Sequence, residues 1–319
     1  MSQKELAFAG GICIFLMLLL IPAAPGASLP PPPIADLVGT YQVNLGGTLG
    51  ALDTGAIGKH KSYNAWRITL DPVNPDVVLI DGVSDIPGGA TSAVYKYGCL
   101  FFGFQGDGNL CSCTGYVKVS GAAGKIALQG QIIVVGSDSW PLMFADAIKA
   151  KQTSTSTALA VPCDDPAGAA DAPQPIQAKA KTVAPPTIEE LDGTSWDAKF
   201  AGKGLDFAAG GPASESKLAH WYMTGDAVAG TIDVEVTYDN GDPADALHFR
   251  YYSGEQGGIL VMASGDIVNN PALKSINAQG SISGKPGAYK ISVAFLDYTI
   301  DGSGDNVEAG TISAKEVAF

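Results

Sequence analysis

The chain has 319 residues, enough for two domains of ordinary size, and 46% of them are hydrophobic, more than a disordered chain carries. Its 19 basic and 32 acidic residues leave a net charge of −13, and no Lys/Arg-rich run breaks the sequence. That balance excludes nucleic acid, and anionic membrane surfaces with it, as partners to be read from charge. Gly (40) and Pro (20) are frequent enough to favour turns over long helices.

In chain order, Lys4 precedes an unbroken apolar run over 12–21, closed by Pro22 and the small residues Ala23, Ala24, Gly26 and Ala27. This is the layout of a secretory signal peptide, predicted over 1–27, so the protein is expected to be exported to the periplasm, the cell surface or the extracellular space. The run falls short of the roughly 20 apolar residues of a membrane-spanning helix; an uncleaved N-terminal anchor is the alternative. A stiff Pro-rich spacer follows over 28–35. Composition then divides the chain into a β domain over 36–150, a Pro/Ala-rich linker over 151–188 that reads as an extended tether, and a second β domain over 189–319.

The two domains read as diverged copies, and each should close its own core. Asp36-Leu37-Val38-Gly39-Thr40-Tyr41 parallels Glu190-Leu191-Asp192-Gly193-Thr194-Ser195-Trp196. Trp66 lies 27 residues after Gly39 (66 − 39), and Trp221 lies 28 after Gly193 (221 − 193). The Gly-rich turn before Leu110 is matched with the one before Leu260, and Gly124-Lys125-Ile126 with Ala288-Tyr289-Lys290. Strand signals dominate. Trp66, Ile68 and Leu70 alternate with polar residues, as do Ile232, Val234, Val236 and Tyr238. Asn240-Gly241 supplies turn chemistry, and the segments around Phe249 and Leu260 read as two arms of a hairpin. One helix is predicted, over 140–150. The fold class is therefore all-β, with two tandem antiparallel barrels or sandwiches.

The Gly-aromatic opening, Gly39-Thr40-Tyr41 and Gly193-Thr194-Ser195-Trp196, resembles the first strand of lipocalin-like barrels of the calycin group. That resemblance implies antiparallel barrels with an aromatic across the closed end and an interior able to hold a small apolar ligand. The second copy departs from the pattern by one extra residue.

Candidate chemistry is sparse. Beyond the signal segment the cysteines are Cys99, Cys111, Cys113 and Cys163, an even set that in an exported protein suggests disulfides in one of three connectivities. Cys99–Cys113 with Cys111–Cys163 is the preferred pairing. The histidines His60, His220 and His248 show no zinc spacing, and no nucleophile elbow, phosphate loop or dinucleotide fingerprint occurs. Asp239, Asp242 and Asp245 cluster in one loop and Asp301 and Asp305 in another, which makes them weak calcium candidates; no other cofactor is called for. Trp66, Trp221, Tyr251 and Tyr252 are the aromatic candidates for holding a ligand or a surface. The sequence thus reads as an exported, non-catalytic binding or structural protein. A small-molecule carrier and a carbohydrate-binding or carbohydrate-active protein are the alternatives. A small apolar ligand, a glycan or another surface protein would be the partner, with a homo-oligomer or larger assembly as a further possibility.

Overall fold

The structure, a computed structural model, describes residues 30–81, 91–105, 112–137, 140–158, 184–264, 274–300, 302 and 304–317. Residues 31–319 form one compact unit; of the preceding unit, 1–30, only Pro30 is described. The predicted signal segment and most of the linker lie outside the described residues.

The first barrel is built from β1 (Gly39–Ala51), β2 (Ala56–Leu70), β3 (Val77–Asp81), β4 (Thr91–Lys96), β5 (Cys99–Gln105), β6 (Ser112–Ser120), β7 (Ala127–Ser137) and β8 (Trp140–Ser154). The second is built from β9 (Ser195–Asp206), β10 (Gly211–Asp226), β11 (Thr231–Tyr238), β12 (Asp245–Gly254), β13 (Gly257–Ser264), β14 (Lys274–Ser283), β15 (Lys290–Thr299) and β16 (Asn306–Val317). Each is an antiparallel meander closed by its first and last strands, β1 on β8 and β9 on β16. A short element plugs one end of each barrel: the 3-10 turn Ile34–Leu37 in the first and α1 (Ile188–Leu191) in the second. Leu37 and Leu191 from these plugs are fully buried. Thr187 and Glu190 form a reciprocal capping box that starts α1.

Period-two alternation makes the barrels. Along β1, Tyr41, Val43 and Leu45 point inward while Gln42 and Asn44 are exposed. The strict alternation predicted over Thr231–Tyr238 is β11, with Ile232, Val234 and Val236 inside. The duplication is visible in register. Tyr41 faces Trp66 and Gln152 across its two neighbouring strands, and Trp196 faces Trp221 and Glu316. The offset is constant in the first hairpin (196 − 41 and 221 − 66 are both 155), so the extra residue of the second copy lies ahead of the strand.

Three expectations need correction. The segment predicted as a helix is the closing strand β8, extending to Ser154. Its alanines suggest a helix, but Phe144, Ile148 and Ala150 alternate with exposed Lys149 and Lys151, and the strand is needed to join β7 to β1. The Gly-rich turns before Leu110 and Leu260 are not counterparts: the first joins strands five and six of its barrel, the second strands four and five. Gly-rich turns of similar composition recur at several corners of a meander, so composition alone misaligned them.

The third correction concerns the independence of the halves. Each barrel has its own core, yet a further apolar cluster is shared between them. It joins Cys99, Phe101, Ile133, Val135 and Met143 of the first barrel to Ile259, Val261, Leu296, Tyr298 and Val307 of the second. Phe101 packs against Phe207 and Tyr298 with ring centroids 5.7 and 5.5 Å apart, and Tyr97 stacks on Phe207 at 4.6 Å. Buried polar residues of β14 are satisfied by the first barrel: Ser275 bonds to Thr114, and Asn277 accepts from Ser112 (2.9 Å) and donates to the Ile133 carbonyl (3.2 Å). At one edge Asp305 accepts from Lys96 (2.6 Å) and Tyr97 (2.9 Å). The plugged end of each barrel lies beside the unplugged end of the other, because the turn after Lys96 meets Asp305 while Thr54 meets Gln256. The barrels form one compact unit joined by this shared cluster. Truncating Phe101 to Ala is expected to cost about 3–5 kcal/mol. In calorimetry it should split one unfolding transition into two, whereas a single unshifted transition would show that the shared cluster does not couple the barrels.

Candidate functional site

At corresponding places inside the two barrels the apolar filling gives way to ionisable groups, and in both an inward glycine of the first strand creates the room. Gly47 on β1 stands between His60 on β2 and Asp146 on β8. A Cβ at 47 would collide with the Ala145 carbonyl and the Asp146 carboxylate. With that space open, His60 Nδ1 and Asp146 Oδ2 meet across β1 at 2.7 Å, the Asp146 side chain fully buried. An ionised Asp146 can only accept, which places the proton on Nδ1. The His60 ring lies 5.9 Å from that of Phe144.

The same offset of 155 (202 − 47 and 215 − 60) puts Gly202 at the place of Gly47 and Glu215 at that of His60. On the closing strand the offset is 164 (316 − 152 and 308 − 144), so Glu308 stands where the first barrel has Phe144. The Glu308 carboxylate lies against the open face of Gly202 and reaches Glu215 on β10. Asp297 on β15 is the direct cross-strand partner of Glu308. Lys217, two residues along β10, pairs with Glu215 and with Asp242 (2.7 Å), its ammonium 5.2 Å from the centre of the Tyr238 ring.

One ammonium group does not balance these acids. Burial pushes Glu308 up to about 7, with the charges of Asp297 and Glu215 adding to the effect. Burial pushes Asp297 up to about 6, again helped by Glu215, and one of its oxygens is buried without a hydrogen-bond partner. Hydrogen bonds that Lys217 donates to Asp242 and Glu215 raise it above the usual lysine range, so it stays charged, and Lys217 in turn lowers Asp242. Glu215 and Glu308, with Asp206, Ser214 and Asn306, line an open depression of about 300 Å³ at the unplugged end. The site can take up protons or a positively charged group.

The residues singled out in the sequence fall elsewhere. Trp66 and Trp221 are each 1% exposed and fill the two cores, so neither can meet a surface. Tyr251 is buried, its hydroxyl donating to the Pro186 carbonyl (2.6 Å), and Tyr252 packs against the shared cluster. Their positions on strands rather than turns put these rings inside. Cys99 is a buried free thiol pushed up to about 12 by burial. The Cys99–Cys113 disulfide is ruled out. Cys99 pairs in register with Lys118, Cys113 pairs with Phe104, and the first joins the shared cluster while the second faces the interior of its barrel. Cys111 and Cys163 lie outside the described residues.

Among the acids, Asp239 lies 3.5 Å from His220 Nε2, Asp242 is held by Lys217, Asp245 accepts from the Ala246 amide (2.8 Å) and Asp305 is committed to Lys96 and Tyr97. Asp301 lies outside the described residues. Among the described residues no group of three or more His, Cys, Asp and Glu is arranged to hold a metal ion. Sequence reasoning missed His60, Asp146, Glu215, Asp297 and Glu308. The available signal was phase: Asp297 continues the inward series Ile291, Val293, Phe295.

No protein-family model matches the chain, and no curated protein matches it. Solved structures similar to it include the following two. One is a protein of unknown function from the DUF3598 family of Nostoc punctiforme, with 9% identity, coverage of 88% of this chain and 97% of that one, and a TM-score of 0.30. The other is a putative AttH from Nitrosomonas europaea, with 10% identity, coverage of 87% and 92%, and a TM-score of 0.18.

The raised carboxylates set a pH dependence of definite sign. Folding tightens their hold on protons, so their contribution to stability is greatest below the unfolded carboxylate range and is lost as pH rises through about 6 and about 7. Glu308→Gln is expected to raise the melting temperature at about pH 8 and to flatten its fall between about pH 5 and pH 8. Thermal melts across that range check this, and a variant less stable than the parent at the alkaline end contradicts it.

Proposed function

We propose that the protein is an exported, non-catalytic binding protein whose second barrel takes a small cationic ligand, such as a primary amine, at its unplugged end. The observation that carries this is the excess of inward carboxylate: Glu215, Asp297 and Glu308 face one ammonium group, Lys217, beside an open depression. A bound ammonium group would supply the missing positive charge and displace the protons that Glu308 and Asp297 retain near neutrality. Export rests on the apolar run over 12–21 and the small residues after it.

The packing favours this reading over the alternatives. A carrier for a large apolar molecule needs an empty interior, and here Trp66, Phe102, Ile132 and Phe144 fill one barrel and Trp196, Trp221, Phe249 and Val293 the other. A glycan platform needs a strip of exposed aromatic rings; Trp66, Trp196 and Trp221 are buried, and the exposed Tyr63 and Tyr222 stand on different barrels. Assembly by strand addition needs a free sheet edge, and both sheets close on themselves.

Calorimetric titration with putrescine near pH 7 tests the proposal. Binding is expected with proton release, read from its dependence on buffer ionisation enthalpy, and Glu308→Gln should weaken it by about tenfold or more. Equal affinity for parent and variant, or no heat of binding to the parent, would overturn it.

A further inference from the structure

The charge of the chain is divided unequally between the barrels. Residues 31–154 carry 8 basic and 9 acidic side chains, a net of −1, while residues 187–319 carry 8 and 19, a net of −11. The near-neutral first barrel is itself polarised. Lys149 and Lys151 on β8 and Lys59 and Lys61 on β2 all point outward and are exposed. Cross-strand register gathers them: Lys149 lies beside Asn44, which lies beside Tyr63, and Gly46 and Thr48 separate Lys61 and Lys59 from Ala147 and Ala145. The outward positions of β7, β8, β1 and β2 hold no Asp or Glu, since Asp146 points inward. At the centre of this lysine face stands Tyr63, 75% exposed.

The second barrel presents the opposite face. Outward and exposed on β9, β11 and the following turn are Asp197, Asp233, Glu235 and Asp239, with Lys199 beside Leu218, Lys315 beside Asp197 and Arg250 at the margin. His220 lies between Asp197 (3.0 Å) and Asp239 (3.5 Å), and His248 pairs with Asp233 (2.6 Å). Two large apolar side chains stand on β10 within this acidic field, Leu218 (57% exposed) and Tyr222 (44%).

The positions of these faces matter as much as their signs. The contact between the barrels uses β5–β8 of the first, with Leu52 of the β1–β2 turn, and β13–β16 of the second. Going round each closed sheet, the strands farthest from that contact are β2–β3 and β10–β11. The acidic face therefore lies opposite the contact and the lysine face to one side of it, on different barrels of the pair, and one molecule cannot bring its own two faces together. We propose that the lysine face of one copy docks on the acidic face of a second copy, so that the protein associates head to tail. Tyr63 meets the apolar patch of Leu218 and Tyr222 as the desolvated centre, and the Lys–Asp/Glu ring supplies direction. A heterologous contact between two different faces leaves one of each free at the ends, so it generates chains or rings rather than two-fold dimers. This goes beyond the ligand site, which lies inside the second barrel and takes no part in the contact.

Sedimentation velocity of the full chain tests the proposal. Association is expected at about 20 mM salt and dissociation at about 500 mM, where the screening length falls to a few ångströms. Reversing the lysine face (Lys59→Glu, Lys61→Glu, Lys149→Glu) should weaken self-association by about tenfold or more, and so should Asp233→Lys with Glu235→Lys. Mixing the two variants should restore association, because one then carries two acidic faces and the other two basic faces; this also shows that both are folded. A parent that stays monomeric at low salt overturns the proposal, as does association untouched by either reversal or a mixture that fails to associate. Binding of the parent to vesicles rich in anionic lipid without self-association would assign the lysine face to a membrane and overturn it equally.

Discussion

Every inward position of a small closed barrel must be filled by one side chain, and the rest of this structure follows from how that constraint is met and where it is relaxed. Near the plugs it is met by bulk: Tyr41 with Trp66, and Trp196 with Trp221, face each other across neighbouring strands. Farther along it is relaxed by a glycine on the first strand, Gly47 in one barrel and Gly202 in the other. A missing side chain there allows groups from the flanking strands to meet across the gap. Duplication copied the gap, and divergence changed what fills it. The first barrel has a histidine facing an aspartate, a pair that can neutralise itself. The second has Glu215 and Glu308 beside Asp297, a set that cannot.

The outer surfaces follow the same economy. Alternation gives every strand an outward face, and three environments share those faces. Phe101, Val135, Val261 and Leu296 turn outward from their own barrels and become the interior of the pair. Ser275 and Asn277 are outward polar residues of β14 that would be ordinary surface in an isolated barrel; here they are buried and bonded to Thr114, Ser112 and the Ile133 carbonyl. The remaining outward faces stay in water and carry the separated charge. The shared cluster gives that separation its meaning, since it sets the two faces on different sides of one compact unit.

The all-β class and the copies were legible because both rest on local signals: the period-two runs of β1 and β11, and aromatic landmarks in the same order. The closing strand β8 was misread because its alanines carry a helical propensity that pairing with β1 and β7 overrides. The cysteine pairing failed for a register reason: Cys99 and Cys113 lie on neighbouring strands, but five ladder positions and opposite faces separate them. The acid site was the least legible part. Asp297 and Glu308 share the β15–β16 hairpin, but Glu215 is far from them in sequence, and only closure of β16 on β9 brings it to them. Abundant surface acids such as Asp239 and Asp245 hid the few that face inward.

The central claim is that the carboxylates inside the second barrel are starved of positive charge. Following the side-chain carboxyl carbons of Glu308 and Asp297 by NMR as pH is varied reads that directly. The account predicts midpoints of about 7 for Glu308 and about 6 for Asp297. Titration of both residues near pH 4, as for solvated carboxylates, would contradict it.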